Sequence, residues 1–384
     1  MRIKNAVLHT MEGIDFENGW MTSANGVITG IGPMGICPEQ PGEEWLDLKG
    51  AHVYPGFIDA HTHLGMWEDG LNFEGDDGNE ETDPLTPQLR AIDALNPMDR
   101  CFREALESGV TTVVTGPGSA NPIGGQLAAV KTFGKWIDKM IVKAPLAMKM
   151  ALGENPKSVY HGKGQAPITR MGTAALIREQ LYKARRYQED LERAEADEEI
   201  DPPEYDSKCE ALLPLLRREI QAHIHCHRAD DIFTAIRIAE EFQLDYVIVH
   251  GTEGHLIAEE LAEKKVRVLN GPILCDRSKP ELRNLTPACP GKLTAAGVQT
   301  ALITDHPVIP IQYLPLCAGL AVREGMDREA AMRAITIEPA RICGIDSRVG
   351  SLAVGKDADC VVFRQDPLTL AAKPEKVFVA GREV

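Results

Sequence analysis

The sequence predicts an α/β fold: a (β/α)8 TIM-like barrel joined to a small β-sandwich domain that both chain ends build. In the middle of the chain, apolar runs typical of buried strands alternate with segments that carry apolar residues at helical spacing. This alternation is typical of parallel β/α units. At both ends, short strand-like runs are separated by turn residues. We therefore assign residues 1–54 to the first part of the sandwich, 55–345 to the barrel and 346–384 to the second part.

The elements follow in chain order. Strand-like runs at the two ends cover residues 2–9, 19–22, 26–31, 358–363 and 376–379. Seven apolar runs in the middle cover residues 53–58, 111–115, 144–151, 220–225, 244–250, 266–270 and 298–303. Helical patterns lie between some of them, as in 230–242 and 256–264. Seven units fit an eightfold barrel better than a doubly wound sheet, although the eighth unit has no clear pattern.

Two insertions interrupt this alternation. Residues 67–83 hold eight carboxylates and no Lys or Arg. Residues 176–220 form a long charged stretch with helical spacing up to about residue 199, which Asp201-Pro202-Pro203 then breaks. We expect this second insertion to be a solvated helical hairpin.

The composition narrows the class of protein. The 384 residues include 41 Lys and Arg against 57 Asp and Glu, giving a net charge of −16. Because nucleic acids and anionic membranes are recognised through basic clusters, neither is an expected partner. No apolar run is long enough to cross a bilayer or resembles a signal peptide, which predicts a cytoplasmic protein. The nine cysteines include no CxxC pair, so a disulfide framework or a zinc knot is not expected.

The strongest chemical signal is the run Pro55-Gly56-Phe57-Ile58-Asp59-Ala60-His61-Thr62-His63. Strand side chains alternate, so His61 and His63 point to the same side. Two imidazoles at the end of a buried barrel strand are a suitable pair of metal ligands.

Further candidates stand at the ends of later apolar runs. They are Lys149 and Glu154, the triplet His223, His225 and His227, then His250, and finally Asp305. Each is weak alone, but a barrel gathers its active site at the carboxyl ends of its strands. His223 and His227 are as readily explained as structural histidines.

With these residues in view, the sequence resembles the amidohydrolase superfamily over almost its whole length. Residues 55–63 match the first-strand signature of that family, and residues 349–359 match its return to the small sheet domain. The similar branch contains imidazolonepropionases and prolidase-like dipeptidases. His225-Cys226-His227 resembles the fifth-strand motif of that branch, and His250-Gly251 resembles its sixth-strand motif.

The resemblance implies a metal site with ligands His61, His63, His225, His250 and Asp305, and it places His227 in an outer or substrate-facing position. A fourth-strand ligand then decides between one and two ions. Glu154 is the preferred ligand, and Lys149, as a carboxylated lysine, is the alternative bridging ligand. The ion is expected to be Zn²⁺, with Fe²⁺, Mn²⁺ or Ni²⁺ as alternatives.

The predicted reaction is hydrolysis of a C–N bond in an amide, cyclic amide or dipeptide-like small molecule. The ion would activate water as hydroxide, and Asp305 would act as general acid and base. The alternatives are a ring-amine deaminase and a catalytically silent metal-binding barrel. Substrate-binding candidates are His227, Arg228, Tyr160 and Asn121, the last within a Gly-rich stretch, 116–126, that could bind a carboxylate or be a tight loop. If the acidic segment 67–83 covers the site, phosphorylated substrates are disfavoured. A homo-oligomer is possible.

Overall fold

A computed structural model of the protein describes residues 1–38, 42–70 and 72–384. The strands in these residues are β1 (Arg2–Leu8), β2 (Phe16–Ala24), β3 (Val27–Pro33), β4 (Leu46–Asp47), β5 (His52–Pro55), β6 (Phe57–Thr62), β7 (Val110–Thr115), β8 (Ile123–Lys131), β9 (Ile141–Ala151), β10 (Gln221–Cys226), β11 (Tyr246–His250), β12 (Arg267–Asn270), β13 (Gln299–Leu302), β14 (Cys360–Phe363), β15 (Lys376–Val379) and β16 (Arg382–Glu383).

The α-helices of the same residues lie mostly between the barrel strands. They are α1 (Arg100–Glu107), α2 (Glu154–Gly162), α3 (Arg170–Ala196), α4 (Ser207–Leu216), α5 (Ala229–Phe242), α6 (Ala258–Glu263), α7 (Cys289–Ala295), α8 (Leu314–Arg323), α9 (Arg328–Arg333) and α10 (Ile337–Ile342). Short 3-10 turns connect several of them.

Strands β6 to β13 pair in chain order to form a nearly closed eight-stranded barrel. Each of the seven predicted apolar runs contributes a strand to it, and the eighth strand is β8. This strand is antiparallel to both β7 and β9, whereas the other pairs are parallel. The reason is the short connection from β7 to β8, since a parallel return needs a dozen or more residues. The expectation that 116–126 is a loop is therefore wrong for residues 123–126.

A seam remains where the first and last barrel strands meet. Within the described residues, no ladder of backbone pairs joins β13 to β6. Three backbone hydrogen bonds cross the gap instead: Ile58 N–H to Ile335 O (2.8 Å), Leu302 N–H to Ala334 O (2.9 Å) and His63 N–H to His306 O (2.8 Å). The segment that follows α9 thus lies between the two edge strands and satisfies their polar groups.

Both chain ends form one further sheet, in the order β16-β15-β14-β5-β1-β2-β3, with β4 beside β1. Apolar side chains from both ends share its core, among them Ile3, Met21, Val53, Val362 and Phe378. The joint sheet agrees with the prediction, but a sandwich of two facing sheets is not confirmed. We propose that the boundaries at 54/55 and 345/346 still apply, because β5 pairs with this sheet and β6 with the barrel.

Helices α3 and α4 form the predicted hairpin, although α3 begins at Arg170 and ends at Ala196. One stripe of α3, including Ile177, Leu181 and Ala184, is buried with residues of α4 and of the barrel strands. The hairpin is therefore solvated on its outer face only. None of the described helices is both long and apolar enough to cross a membrane.

Candidate metal centre and cavity

The first group of candidate ligands lies across the seam of the barrel. His61 and His63 extend from the end of β6, are almost fully buried, and have ring centroids 5.1 Å apart. Asp305 follows β13, and its Oδ1 lies 3.5 Å from His61 Nε2 and 3.3 Å from His63 Nε2. The ligand atoms of these three residues lie within 4.8 Å of one another.

The second group comes from the next strands around the barrel. It consists of His225 at the end of β10, His227 just after it and His250 at the end of β11, again with ligand atoms within 4.8 Å of one another. The ring centroids of His225 and His250 are 4.4 Å apart, and those of His61 and His250 are 5.5 Å apart. The two groups are therefore adjacent at the carboxyl ends of the strands.

Backbone carbonyls orient one imidazole in each group. Gly116 O accepts a hydrogen bond from His63 Nδ1 (2.8 Å), and Gly271 O accepts one from His250 Nδ1 (2.7 Å). Because a carbonyl can only accept, both rings carry the proton on Nδ1 and present Nε2 with a free lone pair. Such an outer hydrogen bond is the usual partner of a metal-bound histidine.

The protonation states suit metal ligands. Burial, with nearby Lys149 as a smaller cause, lowers the pKa of His250 to about 4, although Asp305 opposes the shift. Burial likewise holds the pKa values of His61 and His225 well below their ordinary range. Burial acts to raise the pKa of Asp305, but His250, His63 and Lys149 together lower it below its ordinary value. Neutral imidazoles and an ionised carboxylate result, which is the donor set that a divalent ion needs.

Unpartnered nitrogen atoms also indicate a missing cation. His225 Nδ1 and His250 Nε2 are buried and have no hydrogen-bond partner among the described residues. Buried polar atoms are normally satisfied, so each such atom needs an explanation. A divalent ion bound by these nitrogens provides one, and the residues present therefore fit a metal centre.

The geometry separates the two fourth-strand candidates. Lys149 on β9 is fully buried, and its Nζ lies 3.0 Å from His61 Nε2. Burial lowers the pKa of this amine to about 7, with Asp305 opposing the shift. Glu154 begins α2 at the wall of the cavity and is in neither ligand group of the described residues. This arrangement favours Lys149, which reverses the preference drawn from the sequence.

Asp59, in the middle of β6, is a buried residue that the sequence analysis did not single out. Its Oδ1 accepts a hydrogen bond from His61 N–H (3.2 Å), and its Oδ2 accepts bonds from Thr304 N–H (3.1 Å) and Thr304 Oγ1 (2.5 Å). Thr304 directly precedes Asp305, so one carboxylate fixes both halves of the first ligand group. The feature of the sequence that could have indicated Asp59 is its position two residues before His61.

A cavity of about 870 Å³ opens onto both ligand groups. His63, His225, His227 and Asp305 form part of its floor. The acidic segment 67–83 does reach the site, since its Trp67, Asn79 and Glu81 line the same cavity. The Trp67 ring meets the His63 ring edge-on, with centroids 4.6 Å apart. The volume of the cavity suits a small molecule.

Three of the four predicted substrate-binding residues face elsewhere. Tyr160 OH donates to Asn121 Oδ1 (2.6 Å), and both side chains are buried outside the cavity lining. Arg228 pairs with Asp230 in two bonds of 2.9 and 2.8 Å just before α5. Each of these side chains already has a neighbour as its hydrogen-bond partner, and none of the three is among the residues that line the cavity. His227 does line the cavity, with its Nδ1 2.7 Å from Thr252 Oγ1.

His223 is fully buried, with its Nε2 3.3 Å from Gln221 Oε1, and it is in neither ligand group of the described residues. Asn155 and Lys279 were not among the four predicted substrate-binding residues. Lys279 Nζ donates to Asn155 Oδ1 (2.7 Å), and both residues line the cavity.

This geometry can be compared with known proteins. The profile of the amidohydrolase family matches residues 52–384 of the chain. The chain belongs to the amidohydrolase family. A solved structure of an amidohydrolase from Thermotoga maritima MSB8 is 43% identical, with a TM-score of 0.95 and coverage of 100% of this chain and 99% of that chain. The family resemblance seen in the sequence is thereby confirmed, as is the class of hydrolases acting on C–N bonds.

Two curated proteins are similar to this amidohydrolase over most of its length. Amidohydrolase tasK of Hapsidospora irregularis is 32% identical over 387 residues, which cover 93% of this chain and 39% of the relative. The chain thus spans well under half the length of that relative. The imidazolonepropionase of Symbiobacterium thermophilum is 24% identical, with coverage of 90% of this chain and 83% of the relative.

Proposed function

We propose that the protein is a metal-dependent amidohydrolase that cleaves an amide, cyclic amide or dipeptide-like C–N bond of a small molecule. One observation carries this proposal: two groups of buried metal-ligand atoms meet on the floor of one cavity at the carboxyl ends of the barrel strands. The acidic cavity wall disfavours phosphorylated substrates. We also propose, from the composition, that the protein works in the cytoplasm.

The proposed ligands are His61, His63 and Asp305 for one ion and His225 and His250 for a second. When bound, a divalent ion lowers the pKa of a coordinated water and polarises the scissile carbonyl. Zn²⁺ is the first candidate, and Fe²⁺, Mn²⁺ or Ni²⁺ suit the same ligands.

Asp305 is the proposed general acid and base. Its Oδ1 faces both histidines of β6, and its carboxylate lines the cavity, so a substrate can reach it. A carboxylate in this position can accept a proton from the attacking water and pass it to the leaving amine. His227 lies beside it on the cavity floor, where it can contact the substrate.

Lys149 is the proposed link between the two ligand groups. Its neutral amine would add to CO₂, forming an N–C bond and releasing a proton, and the resulting carbamate would supply two anionic oxygens. Support comes from its full burial and its contact with His61 Nε2 at 3.0 Å. A buried lysine whose pKa is near neutrality has enough free amine for this reaction.

The test combines elemental analysis with a hydrolysis screen of N-acyl amino acids, dipeptides and lactams. We expect bound transition metal and turnover of at least one of these classes, with both lost in His61→Ala and in His63→Ala. The exposed residue His161 gives the matched control, His161→Ala. Stoichiometric metal in both site variants would reject the ligand assignment.

The two alternatives predict different results in the same screen. Ammonia release from a ring amine, with no amide turnover, would indicate a deaminase. Bound metal without turnover of any class would indicate a silent metal-binding barrel.

A further inference from the structure

The cavity contains a single cationic side chain of Lys or Arg type. Among the described residues that line it, Lys279 alone carries such a charge, and it lies on the segment between β12 and α7. The other cations of the surrounding loops are occupied elsewhere. Lys163 pairs with Glu81 at 3.0 Å, and Arg277 donates to Leu285 O at 2.7 Å.

A chain of hydrogen bonds links this cation to the metal centre. Lys279 Nζ donates to Asn155 Oδ1 (2.7 Å), and Asn155 Nδ2 donates to Ser119 Oγ (2.8 Å). The same Nδ2 lies 3.4 Å from Nε2 of the candidate ligand His225. Asn155 therefore fixes the ammonium group at one side of the cavity, close to the ligand groups. An ammonium has three donors, so Nζ keeps two for a ligand.

The charges on the rest of the cavity wall explain why this one cation matters for substrate binding. Glu154, Asp276 and Asp305 also line the cavity, so away from the two ligand groups the field of the wall does not favour an anionic group. It can bind only where a donor is directly opposite. Apolar side chains of Val159, Leu282 and Trp67 also line the cavity and suit an apolar substrate side chain.

We propose that Lys279, held by Asn155, is a specificity-determining residue that binds the free carboxylate of an amino-acid-derived substrate. This inference rests on the proposed amide hydrolysis and narrows it to N-acyl amino acids or dipeptides with an apolar residue on the amine side. A lactam without a carboxylate would leave Lys279 without a ligand.

The experiment uses a matched pair of probes, N-acetyl-L-leucine and N-acetyl-L-leucinol, which differ in having COO⁻ or CH₂OH. Their binding to the metal-loaded protein is measured by titration calorimetry, and their turnover is measured separately. We expect the wild type to bind the carboxylate more tightly, by roughly 2- to 10-fold, the scale of one charge-assisted hydrogen bond from a lysine that solvent still reaches. In Lys279→Met this preference should vanish, with binding of the alcohol unchanged.

Two further variants keep the result interpretable. Lys279→Arg keeps the charge and should keep most of the preference. Arg283→Met removes an exposed cation of the same segment that is outside the cavity lining, so it should change neither probe. Equal binding of the two probes by the wild type, binding of neither, or an unchanged preference in Lys279→Met would overturn the inference. A preference without turnover would support it while counting against the proposed hydrolysis.

Discussion

Two residues of the centre, His250 at the end of β11 and Asp305 three residues after β13, lie in the left-handed backbone region, with φ of 75° and 56°. His and Asp tolerate this region better than most residues, yet the conformation still costs free energy. Neighbouring contacts compensate for this cost. Gly271 O holds the ring of His250, and the bonds of Thr304 to Asp59 hold the residue that precedes Asp305. These contacts fix the orientation of both side chains at the candidate metal centre.

Asp305→Asn tests the proposed proton transfer. The amide can still offer a carbonyl oxygen to an ion, but it cannot carry a proton. We expect most of the metal to remain and kcat to fall by roughly two to four orders of magnitude, with little change in KM. The measurement is kcat per metal-loaded, folded molecule. Near-normal kcat would show that Asp305 has a structural role only.

Lys149→Ala tests the proposed carbamate. Without the amine no bridging carboxylate can form, so we expect the metal content to fall by about one ion per chain. Added propionate should restore part of the metal and activity, because a free carboxylate can occupy the space left by the side chain. Glu154→Gln is the matched control and should keep the wild-type metal content. Loss of an ion in that control, with Lys149→Ala unaffected, would return the role to Glu154.

At the scale of elements, the sequence revealed most of the barrel because buried parallel strands are almost uniformly apolar. The seven predicted runs share this property. Strand β8 was not predicted because it has Gly124 and Gly125 near its start and lies shortly after the Gly-Pro-Gly run at 116–118, so its beginning has the composition of a loop. Its direction was also unpredictable, since the alternation of strands and helices implies parallel pairing only.

The candidate ligands were predictable for a similar reason, because strand ends meet at one mouth of a barrel. The proposed preference for Lys149 over Glu154 could not be drawn from the sequence, because it depends on the contact of Lys149 with His61 and on the position of Glu154 at the start of α2. The bond between Tyr160 and Asn121 could not be predicted either, since nothing in the sequence shows that these side chains meet.

Glu281 connects two elements near the cavity. It is 1% exposed, and its Oε2 accepts the bond of Glu154 N–H at the start of α2 (3.0 Å). Burial raises the pKa of Glu281 from 4.5 to about 7, although Glu154 N–H and Lys279 oppose the shift. Because the folded protein favours the protonated carboxyl, the contribution of Glu281 to stability should be greatest below about pH 4.5 and should be lost as the pH rises through 7.

Glu281→Gln should remove this dependence, since the neutral amide can accept the same bond without a charge. We expect the melting temperature of the variant, relative to wild type, to rise between pH 5 and pH 8, by an amount equivalent to at most about 3 kcal/mol. Thermal unfolding at several pH values measures it. The exposed residue Glu259 provides the control Glu259→Gln. A difference from wild type that stays constant with pH would refute the assignment.

On the scale of the whole molecule, a buried ion cluster joins the barrel to the terminal sheet. Lys131, at the end of β8, is 8% exposed and pairs with Asp357 (2.9 Å) and with Asp359. The two carboxylates precede β14 in the sheet of the chain ends. The cluster therefore ties the antiparallel strand of the barrel to the second sheet.

Lys131→Met should destabilise both parts together. It leaves the buried carboxylate of Asp359 without its cation, whereas Asp357 keeps its ion pair with Arg348 at 2.9 Å. Breaking a buried ion pair in this way costs about 3–5 kcal/mol. We expect a lower melting temperature and a single shifted transition, as measured by calorimetry. Lys135→Met, at an exposed position nearby, should have no comparable effect. The triple variant Lys131→Met, Asp357→Asn, Asp359→Asn should recover part of the loss.

The position of the candidate metal centre at the seam of the barrel indicates a structural role for the bound ion as well. Strands β6 to β13 are one continuous ribbon whose two edges are not paired to each other within the described residues. The first ligand group takes His61 and His63 from one edge and Asp305 from the other. An ion bound there would connect the two unpaired edges across the seam. After chelation, amide hydrogen exchange should accelerate in peptides that contain Ile58 and His63, while peptides from β10 and β11 stay protected. The bound ion would therefore stabilise the closed form of the barrel, in addition to its role in hydrolysis.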